Sequence, residues 1–558
     1  MSGTGKAKAE EIIDTTVDSD EAEQSGSDAE IEEAEDALAQ AQGSQQPSTS
    51  HKKKKKKSKA ARALNALRGK EEIPQQLVER VLDQVNKQDN GPIAGADEET
   101  VRAALEQLKI MEVMKGNTGL GGINKKDMGP HKFWGTQPVP QPGDEQPAED
   151  GPIEPSKPRE EVRQEPYQLP KDFEWSILDL TEEKQIKEVY DLLSLNYIED
   201  DHAAFRFKYS AEFLKWALMP PGYHKEWHVG VRVASNKKLV AFISGVPMNV
   251  RIRANTVGAV EINYLCVHKK LRHKRLAPVL IKEVTRQCHL KGIFQALYTA
   301  GVVLPTPVSV CRYQHRCLNV QKLVDTKFWF VPRSMTIARM IRLHKLPSKP
   351  HLNGLREMED RDVEAVADLY ERYMKRFGIA PDMTVDDIRH HFLSGRGKGA
   401  GEPGGELEHK WKGGREGQVV WAFVVENPET HKITDFFSFY SLPSTVINNP
   451  KHDLLNAAYL YYYATDVAFQ DHAEETGLLK RRVQDLVGDA LVVADQAKFD
   501  VFNALTLMDT VPVLKELKFG DGDGFLNFYL YNWRTAPLAG MNPTDGVPAG
   551  QGVGVVML

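Results

Sequence analysis

Cysteine is scarce. The 558 residues hold four, Cys266, Cys288, Cys311 and Cys317, too few to staple a chain of this length through disulfides. A reducing, cytoplasmic home is the expectation that follows. Long apolar runs are missing as well, since none reaches the roughly 18 residues that a membrane-spanning helix needs. The opening MSGTGKAKAEEIIDTT has no apolar stretch after a basic one, so no secretory signal is expected. Position two is not glycine, which removes one pattern for an N-terminal lipid anchor. Metal-ligand spacing is thin. Cys311, His315 and Cys317 lie close together, but no second ligand pair accompanies them, so a structural role is expected and no metal. No Ser-His-Asp or Cys-His spacing stands out, which leaves no side-chain nucleophile with its base in view.

What is present is ordinary for a folded soluble protein, with 41% hydrophobic and 27% charged residues. The length calls for two or more domains. Charge is unevenly spread behind a net −6. The acidic stretch SDEAEQSGSDAEIEEAEDALAQAQ is followed by HKKKKKKSKAARALNALRGK, and blocks of like charge with low hydrophobicity read as disorder. Residues 1–125 are therefore expected to form a disordered, charged N-terminal region. Its lysine tract, Lys52–Lys57, fits a solvated tail, a nuclear address, or contact with an acidic surface or RNA. Short amphipathic helices are expected near 70–115. A proline-rich linker, QPVPQPGDEQPAEDGPIEPSKPREEV, follows.

From Tyr167 the pattern is that of an α/β protein. TEEKQIKEVYDLLSLNYIED predicts a helix, and WHVGVRVA and LVAFISGVPMNVRI predict a hairpin. GAVEINYLCVH predicts a third strand. It leads to a helix carrying Leu276, Leu280, Val284 and Cys288 at four-residue spacing and stopping at Gly292. IFQALYTAG is the next strand; VSVCRYQHRCLNVQKLVD reads as a short helix and FWFVPR as the strand after it. Downstream the same order recurs in VVWAFVVE, ITDFFSFYSL, AAYLYYYATDV, ETGLLKRRVQDLVGDALVVADQAK, DVFNALTLM and FLNFYLYNW. Two similar halves, 167–345 and 346–558, sharing one large mixed sheet are expected, with ligands near their junction. The closing GQGVGVVML is too apolar for a frayed end and reads as a last, buried strand.

One turn points to a ligand. In EINYLCVHKKLRHKRLAPVLI a strand ends, basic residues follow and a helix begins, which aims free N–H groups and the positive helix end at an anion. Lys269, Lys270, Arg272, Lys274 and Arg275 suit a ligand with several phosphates. The run Arg272 to Ala277 is close to the R/Q-x-x-G-x-G/A loop of acyl-CoA N-acyltransferases, with Arg275 where glycine is usual. The equivalent place in the second half, AFQDHAEETG, is acidic, so one nucleotide site per chain is expected.

EINYLCVHK (261–269) and KFGDGDG (518–524) resemble the two signature motifs of the N-myristoyltransferases, the glycylpeptide N-tetradecanoyltransferases, in a fungal-like form. HKFWGTQPV (131–139), YTAGVVLPTPVSVCRYQHR (298–316), ITDFFSFYSLP (433–443), DVFNALT (500–506) and the terminal VGVVML resemble that family in the same order. The resemblance runs from about residue 130 to the end. It implies two related halves of the N-acetyltransferase type, the first binding acyl-CoA and the second binding peptide, with 126–166 as an extended segment at the acyl-CoA site. It implies transfer of a C14 acyl group from myristoyl-CoA, as co-substrate, to the α-amine of an N-terminal glycine.

The same resemblance implies roles. The α-carboxylate of Leu558 would be the proton acceptor, and the backbone N–H groups of Tyr264 and Leu265 the oxyanion hole. Consecutive strand N–H groups point opposite ways, so a bulge is expected there. Asn263 and Thr299 would place the amine. His131, Lys132, Phe133 and Trp134 would cover the CoA, and Tyr264, Leu265, Cys266 and Val267 would line the pantetheine path. Arg272, His273, Lys274, Arg275, Leu276 and Ala277 would hold the phosphates. Tyr197, Glu199, Asp200, Phe205, Phe207, Tyr209, Tyr313, Tyr440 and Asp523 would form the peptide groove. A monomer is expected, with ribosome or other polyanion contact through Lys52–Lys57. The alternatives weighed against this are a nucleophilic Cys266, an acetyl-CoA-dependent N-acetyltransferase, and a non-catalytic polyanion-binding adaptor.

Overall fold

The computed structural model describes residues 131–145, 147–197, 204–398, 415–540 and 550–558. The Lys52–Lys57 tract, the helices expected near 70–115, and Glu199 and Asp200 lie outside the described residues, as does the side chain of Asp523. In chain order the strands are β1 (Phe173–Ile177), β2 (Phe205–Phe207), β3 (His228–Val233), β4 (Leu239–Ile252), β5 (Asn255–Val267), β6 (Gln295–Ala300) and β7 (Ser309–Cys317). They continue as β8 (Leu355–Glu357), β9 (Ile379–Pro381), β10 (Val420–Glu426), β11 (Ile433–Ser441), β12 (Ser444–Val446), β13 (Leu454–Leu455), β14 (Ala457–Thr465), β15 (Val501–Leu505) and β16 (Gly520–Tyr531). The helices that matter below are α1 (Glu183–Asn196), α2 (Leu276–Leu290), α3 (Val320–Asp325), α4 (Ile337–His344), α5 (Val363–Met374) and α6 (Leu478–Gln496).

Thirteen strands form one mixed sheet, ordered β1-β3-β4-β5-β6-β16-β7-β15-β14-β11-β10-β8 with β9 on β4. The expected recurrence is present in its pairing. The β3–β4 hairpin, antiparallel β5, crossover helix α2 and parallel β6 are matched by the β10–β11 hairpin, antiparallel β14, crossover helix α6 and parallel β15. The final strands are exchanged. β7 pairs with β15 of the later unit, β16 pairs with β6 of the earlier one, and the two pair with each other at the centre. Neither unit completes its sheet without a strand from the other.

The helices cover the sheet with the faces their periodicity dictates. Leu276, Leu280, Val284 and Cys288 of α2 are buried against Val229, Val231, Ile243 and Val260 of the sheet. That helix ends where Gly292 takes φ +81 and its N–H meets the His289 carbonyl at 2.9 Å. Val363, Val366, Leu369 and Met374 of α5, and Val483, Leu486, Val487 and Leu491 of α6, are buried in a second, larger core.

Three sequence expectations are corrected. Residues 309–317, read as helix, are the central strand β7, and only Val320–Asp325 is helical. Arg312, Gln314 and Arg316 recur every second residue, the period of a strand, and Arg316 is buried and donates to the carbonyls of Leu517 and Cys317. FWFVPR, read as a strand, forms none; its Phe330 is 76% exposed. The chain end is buried, as expected, but is not a strand beyond one bridge from Val553 to Ile379. Side chains and loops replace the ladder, with Gly554 N–H donating to the Ile379 carbonyl (2.7 Å) and Val556 N–H to the Tyr462 hydroxyl (3.1 Å).

That ending is firmly held. Val553, Val555, Val556 and Met557 are at most 6% exposed, and burying each contributes roughly 1.5–3 kcal/mol. Its entry requires glycine, because Gly550 has φ +83 and a Cβ there would stand 1.9 Å from the Thr506 carbonyl oxygen.

Candidate active site

The expected irregularity in β5 is real and local. Phe242 faces Cys266 across the β4–β5 ladder, but Ser244 faces Asn263, so β5 carries one extra residue between them. Tyr264 absorbs it at φ 56, a left-handed conformation that costs a bulky residue roughly 1–3 kcal/mol. The ring is what secures it. Tyr264 is 1% exposed and packs against Tyr209 (5.3 Å, edge-on) and Tyr197 (6.0 Å). Its amide faces the Tyr197 hydroxyl, so the bulge turns a backbone donor out of the ladder.

The sheet also parts here. β5 and β6 run parallel and paired only as far as Ile262 opposite Tyr298. The next residues, Asn263 and Thr299, therefore flank the mouth of a split, and both line a cavity of about 290 Å³. One part of its wall is apolar and mostly non-aromatic, built by Ile281, Val284 and Cys288 of α2 with Ile293 and Phe294 beyond. Another part is aromatic, built by Tyr197, Phe207, Tyr209, Tyr313 and Tyr440. Trp134 also lines it, stacked on Tyr298 (5.2 Å, 7°), which stacks in turn on Tyr529 (5.1 Å, 18°). Phe133 meets Trp134 edge-on, and the segment that carries them is tied down by Asn532 N–H donating to the Pro138 carbonyl at 2.7 Å.

The chain terminus enters the same cavity. Met557 and Leu558 line it, and the Leu558 N–H lies 3.5 Å from Glu261 Oε1. That oxygen also accepts from Asn263 Nδ2 at 2.6 Å. Burial pushes the Glu261 carboxyl up to about 7, against the hydrogen bonds from Asn263 and Leu558, which act the other way. Leu558, a carboxyl that burial pushes up to about 7, an amide side chain and an irregular strand thus meet in one place. Such a set can hold an amine and move its proton.

In the basic turn His273 and Arg275 both take positive φ, 65 and 57. Arg275 is the N-cap of α2 and provides no side-chain cap, which leaves first-turn N–H groups for a ligand. Glycine is usual at this position in related loops for a reason now visible, since the left-handed conformation disfavours a Cβ. Arg272 donates to the Asn196 carbonyl and Asn196 Oδ1 accepts from the Lys269 N–H (3.1 Å), so α1 holds the turn in place. The side chains of Arg272, His273, Lys274 and Arg275 are exposed, while Leu276 is buried and Ala277 half-buried.

Of the residues singled out in the sequence, Trp134, Tyr197, Phe207, Tyr209, Asn263, Tyr264, Leu265, Thr299, Tyr313, Tyr440 and Leu558 line the cavity. Phe205 packs instead on Phe328 (5.5 Å). Cys266 points away, its thiol against the Leu192 carbonyl and pushed up to about 12 by burial, so it is poorly placed and poorly ionised for attack. Two contributors escaped the sequence reading. Glu261 stands in the quoted motif, and its charge in an otherwise apolar strand was the available signal. Tyr459 lines the aromatic part and stacks on Tyr440 (5.3 Å, 11°), hidden among the tyrosines of YLYYY. Among the described residues no cluster of His, Cys, Asp or Glu is placed to hold a metal.

The chain is similar to known proteins along most of its length. The family profile described as myristoyl-CoA:protein N-myristoyltransferase, N-terminal domain, matches residues 152–311, and that of the C-terminal domain matches 325–556. The glycylpeptide N-tetradecanoyltransferase of Emericella nidulans is 51% identical over 491 residues, which is 87% of this chain and 95% of the relative. Glycylpeptide N-tetradecanoyltransferase 1 of Arabidopsis thaliana is 51% identical over 406 residues, 72% of this chain and 86% of its own. A crystal structure of Saccharomyces cerevisiae N-myristoyltransferase with bound myristoyl-CoA aligns with a TM-score of 0.70 at 47% identity, covering 77% of this chain and 99% of that one. The chain belongs to the myristoyl-CoA:protein N-myristoyltransferase family and is, with it, an acyltransferase.

Proposed function

We propose that the chain transfers myristate from myristoyl-CoA to the α-amine of N-terminal glycines by direct attack, with the Leu558 α-carboxylate as base. The observation that carries this is the position of Leu558 in the cavity, beside Glu261, Asn263 and the bulge of β5. A free α-amine has pKa about 7.7–8.0 and is largely protonated at neutral pH. Leu558 takes the proton, helped by Asn263 and Thr299, which place the amine. The nitrogen then attacks the thioester carbonyl carbon, and the oxygen's growing charge falls on the N–H groups of Tyr264 and Leu265. The amide forms as the C–S bond breaks; the nitrogen gives its second proton to the departing sulfur, so CoA leaves as the thiol, and the carboxylate releases the first proton to water.

The remaining residues fall into place around that centre. The acyl chain occupies the part of the cavity lined by Ile281, Val284 and Ile293, and the pantetheine runs past Leu265, Cys266 and Val267. The phosphates sit on the basic turn from Arg272 to Ala277, with His131, Lys132, Phe133 and Trp134 as cover. The peptide follows Tyr197, Phe205, Phe207, Tyr209, Tyr313 and Tyr440, with Glu199, Asp200 and Asp523 as its acidic contacts. The protein acts as a cytoplasmic monomer, and Lys52–Lys57 offers the polyanion contact. Among the described residues no helix is long and apolar enough to cross a membrane.

Selectivity for glycine follows from a pocket closed around the substrate's α-carbon. The test is acyl transfer to peptides beginning with Gly or Ala, from donors of C14 and C2. Transfer is expected from myristoyl-CoA to the Gly peptide, with kcat/KM at least about 100-fold lower for Ala. Equal rates for both peptides would refute the closed pocket, and preference for acetyl-CoA would refute the assignment of the donor.

A further inference from the structure

Residues 326–350 carry six lysines and arginines, at 327, 333, 339, 342, 345 and 349, and no acidic residue. Their one described histidine adds no charge, because burial pushes His344 down to about 4. The same stretch holds three of the eight exposed large hydrophobic side chains among the described residues: Phe330 at 76%, Ile341 at 46% and Leu343 at 44%. None of these residues lines the catalytic cavity.

This surface is fixed in place. Helix α4 is capped by Thr336, whose hydroxyl accepts from the Arg339 N–H at 3.2 Å. It is anchored inward by buried Met340 and His344. Arg316 grips that histidine, with Nη1 2.6 Å from Nδ1 and Nη2 donating to its carbonyl at 3.1 Å. Trp329 packs on the same ring at 6.0 Å, so Phe330 stands next to α4. At about 100° per residue, Arg339 and Arg342 point outward together, with Ile341 and Leu343 on either side of them.

We propose that this surface docks the protein on anionic phospholipid bilayers. Arginines and lysines interleaved with an exposed aromatic and exposed aliphatic side chains suit the headgroup layer, where the cations meet phosphates and the apolar groups enter the acyl boundary. Isolated charge would serve an RNA as well. Exposed Ile341 and Leu343 gain nothing on a phosphate backbone, and they favour the bilayer. Docking also has a use under the transfer reading, because one myristoyl chain alone gives only marginal membrane affinity and a product released at a surface is retained by it. The surface itself does not depend on that reading.

The test is co-sedimentation of the full chain with vesicles of phosphatidylcholine alone, or of phosphatidylcholine with phosphatidylserine. It is run with Lys52–Lys57 intact and with all six replaced by Asn, because that tract also attracts anions. Binding to the phosphatidylserine vesicles only is expected, and it persists without the lysine tract. Arg339→Gln with Arg342→Gln is expected to weaken it about 30-fold, given about 1 kcal/mol per basic residue at such a surface. Phe330→Ser is expected to weaken it about tenfold. Both variants should keep turnover of a soluble Gly peptide within about twofold of the parent, since they lie outside the cavity; that also shows that they fold. Vesicle binding unmoved by either variant, or abolished by loss of the lysine tract alone, overturns the proposal. Binding to single-stranded RNA that falls with the arginine pair but ignores Phe330→Ser, with no vesicle binding, also overturns it and assigns the surface to RNA.

Discussion

Replacing Glu261 by Gln isolates the charge of one carboxyl while keeping its shape. Glu261 is half-buried, accepts from Asn263 and the Leu558 N–H, and is pushed by burial from 4.5 to about 7. At 1.36 kcal/mol per pH unit that difference corresponds to about 3 kcal/mol. The direction is fixed by linkage. A carboxyl whose folded pKa exceeds its unfolded one costs nothing below the unfolded value, where both states hold the proton. Its cost to stability grows as pH rises between 4.5 and 7, and is complete above the folded value. The parent and Glu261→Gln should therefore unfold at similar temperatures at pH 4.5, and the variant should be the more stable at pH 8.5. Activity should diverge the other way. Above pH 7 the Glu261 charge raises the proton affinity of its neighbour, the Leu558 carboxylate, and stabilises the incoming ammonium. The ratio of parent to variant kcat/KM cancels the titration of the peptide amine. It should rise with a midpoint near 7, from within about threefold at pH 6 to about tenfold at pH 8.5. A ratio that stays flat with pH, together with a stability difference that does too, would refute the assignment of this carboxyl.

Two further outcomes are expected. Arg275→Gly should relieve the left-handed strain at φ 57 and raise stability by up to about 1 kcal/mol, measured by urea unfolding, while weakening acyl-CoA binding in titration calorimetry; unchanged affinity would separate this turn from the phosphates. Cys266→Ala should retain transfer within about threefold, because the thiol is pushed up to about 12 and turned toward Leu192; loss of turnover in the folded variant would revive an acyl-enzyme.

Most of the fold was legible because its signals are local. Alternation in the hairpins, the four-residue spacing of Leu276, Leu280, Val284 and Cys288, and Gly292 as a stop each act within a few residues. What was not legible is decided at a distance. β7 carries an arginine, Arg316, in a central strand, and its distant acceptors come from the turn at Leu517 and the end of α4 at His344, which let it be buried there. The terminus was read as a strand from its apolar run, yet its N–H groups find Tyr462 and Ile379 rather than a ladder. The bulge was inferred from what two adjacent N–H groups would have to do. Glu261 was passed over, since its altered acidity comes from burial that no spacing reveals. Arg275 looked like a departure from the loop pattern, and the backbone explains it as a strained residue in the position that glycine usually fills.

The central claim is that the α-carboxylate of Leu558 is the base. Appending two residues after Leu558 moves that group away while leaving every other side chain in place. The decisive measurement is single-turnover acyl transfer by this variant beside its affinity for myristoyl-CoA. The rate is expected to fall at least about 100-fold with donor affinity held within about threefold. Transfer at the parent's rate by the extended chain would contradict the account.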